Sequence, residues 1–325
     1  MPIHDVGYRR WDGRLSSVWL RWTVVAGAGI RLVWKSHWLR RMLIFAWLPT
    51  AVTGLGFFVY EQALEHQQWK RAAVQVMDWH LASGPAAPSS DFPIDSKAGM
   101  ADLRDRFARR PEDVRHEVWS LLLMAFFRYP QGLLMVLIVG IIAPSLISLD
   151  MRSRAFLLYF SRPITPVEYI CGKALVIWTY LAAVTTLPAL VLYVLGLLLS
   201  PSLEVVFYTW DLPLRILLAS LVLMLPTTSL AMLFSSLTTE SRYAGFAWFA
   251  LWGLGWTAYA NLRVLGQSRQ WSMLSLYHML GRVQEWVFGL STDMNEVSSA
   301  ALLLIILTVM PLMVLTTRVV APMRV

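Results

Sequence analysis

Six long apolar runs, parted by charged connectors, restrict this chain to a bilayer as its folding solvent. The runs cover residues 42–60, 131–149, 174–199, 214–237, 243–260 and 300–317. Each approaches or exceeds the ~20 residues a helix needs to cross ~30 Å of hydrocarbon. Backbone N–H and C=O groups meet no water there, so the runs are expected as helices. Pro49, Pro144, Pro188, Pro226 and Pro311 fall inside them. Kinks at such prolines are tolerated where neighbouring helices or hydroxyls satisfy the freed carbonyls, and Thr227, Thr228 and Ser229 follow Pro226 directly. Composition agrees: the chain is 57% hydrophobic and 15% charged, against about 25% charged in an ordinary soluble domain. Its 16 Trp and 11 Tyr suit the headgroup layers.

The net charge of +8 reads as loop asymmetry rather than nucleic-acid binding, because no aromatic-basic platform or recognition-helix pattern accompanies it. Residues 1–41 hold eight Arg or Lys, and the 150–173 connector holds Arg152, Arg154, Arg162 and Lys173. The 238–242 loop has Arg242 and the tail has Arg318 and Arg324, while 200–213 has no basic residue. Cytoplasmic loops collect Lys and Arg, so both termini and the 150–173 connector are expected in the cytoplasm. Arg9, Arg10, Arg14 and Arg21 interrupt the beginning of the chain, so a cleavable signal is not expected there. Cys171 is the single cysteine, which rules out an intrachain disulfide.

Three parts do not span. Residues 14–38 are expected as an amphipathic helix in the membrane surface. Leu15, Trp19, Trp22, Ala26, Ile30 and Val33 share one arc, and Arg14, Arg21, Arg31 and Lys35 share another. Residues 61–130 are expected as an extracytoplasmic helical hairpin. In it 61–81 prolongs the first span, 83–90 turns, and Pro111 opens a helix leading into the second. Residues 261–299 carry two short apolar stretches parted by Gly281, either dipping into the outer leaflet or lying on it. Arg128, just before the second span, is expected to snorkel outward.

Several chemistries lack their residues. Gly172–Lys173 is no phosphate loop, since Val167 stands where the first glycine belongs and Ala174 where a Ser or Thr belongs. His116–Glu117 is not followed by the second histidine of a helical zinc motif, and the six histidines are dispersed. No Asp, Glu, His or Lys lies deep in a run, where intramembrane enzymes and ion-coupled carriers place them. A membrane-embedded enzyme therefore has no visible catalytic set.

The 150–173 connector carries the remaining signal. Pro163 and Pro166 punctuate it, and a short helix is expected from Thr165 through Glu168 and Tyr169 into the third span. Asp150, Ser161, Arg162, Pro163, Ile164, Glu168, Tyr169, Gly172 and Lys173 together resemble the corresponding segment of ABC-2-type permeases, the membrane subunits of ATP-binding-cassette transporters. The layout is similar as well, with a basic surface helix ahead of six spans.

The resemblance implies an all-α polytopic fold with six transmembrane helices, an N-terminal interfacial amphipathic helix and an extracytoplasmic hairpin between helices 1 and 2. It implies a 1–41 cytoplasmic tail with its surface helix and a 42–325 permease domain. That domain includes the 61–130 insert, the 150–173 coupling elbow and the 261–299 outer segment. It further implies a non-catalytic subunit in the inner or plasma membrane, paired with a second copy. ATP and Mg would be bound by a separate ATPase subunit. Arg154, Ser161, Arg162, Pro163, Glu168, Tyr169 and Lys173 are then candidate ATPase-coupling residues. Arg14, Trp19, Arg21, Trp22, Arg31 and Lys35 are candidates for the membrane surface. The expected function is ATP-driven movement of a substrate, in the export direction. The alternatives are a scaffold, or a mechanical device acting on an extracytoplasmic partner through the insert.

Overall fold

The structure is a computed structural model that describes residues 20–83, 97–155, 164–202, 204–265, 269–291 and 293–320. Among these residues it contains helices and turns and no strand. Five stretches are long and apolar enough to cross a membrane: His37–Glu65, Arg115–Arg152, Pro166–Leu199, Val205–Leu237 and Met294–Arg318. The sixth expected run lies on a 25-residue helix, Ser241–Leu265, that is not among them. Trp248, Trp252, Trp256, Tyr259 and three glycines dilute its hydropathy. Those rings favour the membrane boundary over its centre.

Helix α1 (Arg21–Trp34) differs from expectation in the face it buries. It runs beside the first half of α8 (Pro166–Val184). A Cβ at Gly172 would meet Val25 and the Trp22 carbonyl, and one at Gly29 would meet Val176. The Tyr180 hydroxyl donates to the Ile30 carbonyl at 2.8 Å, and Trp34 stacks on Tyr180 at 6.5 Å. The arc assigned to lipid, with Trp22, Ala26, Ile30 and Val33, therefore packs on protein, while Val24, Leu32 and Trp34 are exposed. Two glycines bring the backbones close, and that contact outcompetes headgroups for the same surface.

The first span comprises α2 (His37–Phe45) and α3 (Leu48–Glu65). The chain does not continue outward from it. His66 adopts an extended conformation (φ −124°) that ends the helix, and α4 (Gln67–Ser83) folds back so that Trp69 packs edge-on against Phe58 at 6.4 Å. α5 (Lys97–Arg109) packs on α4, with Arg104 bridging to Asp78 at 2.9 Å. Hydrogen bonds to Asp78 and then Asp105 raise the Arg104 pKa above its ordinary value. Pro111 lies in a turn instead of opening a helix, and its carbonyl accepts from Tyr60 at 2.7 Å.

The second span is one 38-residue rod, Arg115–Arg152. It comprises α6 (Arg115–Phe126), a π turn at Phe127–Gln131 and α7 (Gly132–Arg152). Pro130 in the π turn and Pro144 in α7 each remove a backbone donor. Ser235 of a neighbouring helix braces the turn that follows Pro144. Its hydroxyl accepts from the N–H groups of Ile147 and Ser148 at 3.1 Å and donates to the Pro144 carbonyl at 2.9 Å.

The remaining elements are α9 (Thr186–Leu199), α10 (Val205–Thr209), α11 (Leu212–Leu237), α12 (Ser241–Leu265), α13 (Leu276–Val287) and α14 (Met294–Val320). α11 is the hub, packed on α7, α8, α9, α12, α13 and α14. Hydroxyls on it join neighbours: Thr228 accepts from Trp178, Ser220 accepts from Thr186, and Ser229 donates to the Leu307 carbonyl. Gly281, expected to divide two short segments, lies inside the continuous helix α13. Gly289, at φ +74°, closes that helix, with the Leu290 N–H on the Glu285 carbonyl at 2.9 Å.

Candidate functional site

The elbow joins the end of α7 to the start of α8. Of its residues, 156–163 lie outside the described ones, and so do the expected coupling residues Ser161, Arg162 and Pro163. Arg14 and Trp19 of the expected surface set lie outside them too. What precedes the gap is a sharp end to α7: Arg154 has φ +52°, the left-handed region, and an exposed side chain.

After the gap the sequence builds a reciprocal cap. The Thr165 hydroxyl accepts from the Glu168 N–H at 3.2 Å, and a Glu168 carboxylate oxygen accepts from the Thr165 N–H at 2.7 Å. Pro166 at the first turn loses no hydrogen bond, since that N–H would have no helical partner. The helix therefore starts at a defined residue. A carboxylate in its first turn also complements the helix dipole.

One acceptor organises the interior side. An Asp150 carboxylate oxygen receives the Tyr169 hydroxyl at 2.7 Å and the Lys173 ammonium at 2.7 Å. Lys173 also lies 5.5 Å from the centre of the Tyr169 ring. Tyr169 is fully buried and Lys173 is 7% exposed. The structure thus splits the expected coupling set. Tyr169 and Lys173 face inward and fasten α8 to the end of α7. Arg154, Glu168 and the apolar Val167, which is 61% exposed, face outward. Sequence reasoning set Thr165 at the helix start and Asp150 in the pattern, without the reciprocal cap of the one or the two contacts of the other. A further ion pair, Arg152–Glu240 at 3.5 Å, ties the end of α7 to the turn between α11 and α12.

Of the remaining surface candidates, Trp22 packs at Gly172 and Arg31 donates to the Gly27 carbonyl at 3.2 Å. Arg21 is partly buried and Lys35 is exposed. Beside them runs an apolar groove of about 450 Å³ whose walls include Trp22, Val167, Cys171, Trp178, Thr228 and Leu312. Among the described residues no three of His, Cys, Asp or Glu are placed to hold a metal ion.

A second polar region sits at the other end of the bundle and was not anticipated. Arg128, expected to snorkel, is 5% exposed. Its guanidinium lies over the Tyr277 ring at 4.8 Å and 3.9 Å from the Glu285 carboxylate. It occupies the space that a Cβ at Gly281 would need. Arg282 reaches the same Glu285 at 3.5 Å and Glu296 of α14 at 3.6 Å. Close by, Arg215 joins Asp211 at 2.6 Å and the Val287 carbonyl at 2.9 Å, and Asp211 holds His116 of α6 at 3.0 Å. The insert, α11 and α13 are therefore knitted together by charge.

No curated protein and no solved structure matches the chain. The family model described as ABC-2 family transporter protein matches residues 51–320. That stretch includes the elbow, the α7–α8 joint and the outer cluster. The chain is a multi-pass, all-helical membrane protein that belongs to the ABC-2 transporter family, a family of membrane transport components whose membership implies an ATPase partner subunit.

Proposed function

We propose that this chain is the permease subunit through which a separate ATP-binding-cassette ATPase drives a substrate across the inner or plasma membrane, in the export direction. The observation that carries the reading is the Asp150–Tyr169–Lys173 joint. Two spans that meet at one half-buried carboxylate oxygen, with both its lone pairs taken, resist sliding independently. A push on the intervening elbow therefore displaces both. Arg154, Val167 and Glu168 form its outward face. These residues mix charge with apolar area, as protein-docking surfaces do. ATP and Mg belong to the partner. In this reading α12 is the sixth span, both termini are cytoplasmic, and α1 rides at the inner membrane surface against α8. A second copy of the chain completes the translocation path.

The test is recovery of the tagged chain from its native membranes, read by ATP hydrolysis in the eluate. Hydrolysis is expected to accompany the wild type. It should fall away on deletion of 161–169 or on Arg162→Ala, with membrane insertion kept. Hydrolysis that persists through both changes sinks the assignment.

A second reading rests on the insert. Glu61 of α3 accepts from Arg115 and Trp119 of α6 at 3.2 Å each, and Arg106 of α5 meets Glu117 at 2.7 Å. Movement of the first two spans is thereby passed to α4 and α5, as a device acting on an extracytoplasmic partner requires. Deleting α4 and α5 separates the two. The first reading keeps substrate movement and the second loses function with ATP hydrolysis intact.

A further inference from the structure

The outer cluster contains a cavity whose unused polar atoms are all donors. Phe127, Arg128, Gly132, Met135, Leu223, Trp252, Tyr277, Leu280, Gly281 and Gln284 enclose it. Among these, Arg128 Nε and Nη1, Gln284 Nε2 and the Trp252 indole Nε1 are buried without a hydrogen-bond acceptor among the described residues. Arg128 is 5% exposed and Gln284 2%. Buried donors normally find acceptors, and each one left alone costs about 1–3 kcal/mol. Here three residues from three separate elements, the π turn, α12 and α13, leave donors on one small space. The rest of the wall is mostly apolar, with Phe127, Met135, Leu223 and Leu280.

We propose that this cavity is a binding site for a small anion, taken either as a free halide or as the carboxylate of a larger ligand. The charge argument favours an anion over a neutral group. Glu285 stands 3.9 Å from Arg128, beyond hydrogen-bond reach, and is shared with Arg282, so it leaves the guanidinium edge unfilled. A water molecule accepts from two donors, fewer than the four atoms left without an acceptor here, and for its own hydrogens the lining side chains supply only the Gln284 amide oxygen and the Tyr277 hydroxyl. A halide or a carboxylate oxygen takes several donors and offers none. The void is about 10 Å³, room for one compact atom. That limits the occupant to a monatomic ion or a single carboxylate oxygen. Gly281 is part of the construction, because the Arg128 guanidinium fills the place of its missing side chain. The inference does not depend on ATPase coupling.

The experiment measures the thermal midpoint of the purified chain in detergent, in sodium gluconate exchanged stepwise for sodium chloride or sodium formate at constant ionic strength. Gluconate is too large for the void. Chloride or formate is expected to raise the midpoint saturably, by about 2–3 °C. Trp252→Phe and Gln284→Leu each remove one donor, and each should shift the half-saturating concentration about tenfold higher. Gly281→Ala, which displaces the guanidinium, should abolish the response. A response to chloride alone identifies a free ion, and an equal or stronger response to formate identifies a carboxylate-bearing ligand. Identical curves in all three salts overturn the proposal. So does a chloride response that Trp252→Phe and Gln284→Leu both leave unchanged.

Discussion

The elbow joint and the outer cluster both hold charge away from water, and they do it in opposite ways. At the elbow, one Asp150 oxygen is saturated by Tyr169 and Lys173, each at 2.7 Å. At the outer end, Arg128 faces Glu285 at 3.9 Å and keeps donors unfilled. An oxygen with both lone pairs taken has nothing left to recruit, so the elbow end is a joint that fastens α8 to α7. An unsaturated group is held together by shape and long-range charge, so it is where a ligand or a different arrangement gains most.

The largest effect expected from this contrast is all-or-none. The two regions must lie on opposite sides of the membrane. Cys171, exposed at the start of α8, should react with a membrane-impermeant thiol reagent only in inverted vesicles. A Ser89→Cys change in a Cys171→Ser background should react only in right-side-out ones. Labelling of both from the same side removes the comparison altogether.

Next in size is Asp150→Ala. It leaves Lys173 buried and charged, and the Tyr169 hydroxyl without its acceptor. Removing one partner of such a pair costs about 3 kcal/mol. Thermal unfolding in detergent should show it, and Asp150→Leu with Lys173→Met should be less harmful than Asp150→Ala alone. If both forms melt alike, the joint is not the saturated structure described above.

Gly281→Ala tests the outer side. The added methyl competes with the Arg128 guanidinium for one space and costs about 2 kcal/mol through overpacking. Arg128→Leu in the same chain should recover part of that loss, since the rival group is gone. Full tolerance of Gly281→Ala shows that the guanidinium has other places to rest.

The contrast also explains what could be read ahead of the structure. The elbow was visible because its residues are neighbours in sequence: Pro163, Pro166, Glu168, Tyr169 and Lys173 sit within one short segment. Their directions were not visible, because they depend on Asp150, at the far end of a loop. The outer cluster was hidden for the same reason in stronger form. Arg128 read alone is an arginine near a helix end, and only the tertiary fold brings Glu285, Gln284 and Gly281 to it. Gly281 itself was misread as a break, since a missing side chain marks a turn and a close approach equally well. His66 carries no turn signal, yet it breaks the helix, and the aromatic contact of Trp69 with Phe58 rewards the bend. The partner of α1's apolar arc was not legible because the close approaches at Gly29 and Gly172 join residues distant in sequence.

The smallest expected effect decides what Glu168 does for the elbow. Its carboxylate both caps α8 through Thr165 and faces outward, where an ATPase could read its charge. Gln fills the same capping role with a neutral amide. Glu168→Gln should therefore leave stability within about a few tenths of a kcal/mol of wild type. Thr165→Ala should lower stability by about 1 kcal/mol through loss of the cap. If the charge contacts the ATPase, Glu168→Gln weakens association by about threefold to tenfold, as one lost charge-assisted hydrogen bond does, and Thr165→Ala weakens it less. If Glu168 acts only by starting the helix, the order reverses, with Thr165→Ala the more damaging to association and Glu168→Gln silent. Measuring both variants against the same ATPase preparation separates a residue that shapes the elbow from one that touches its driver.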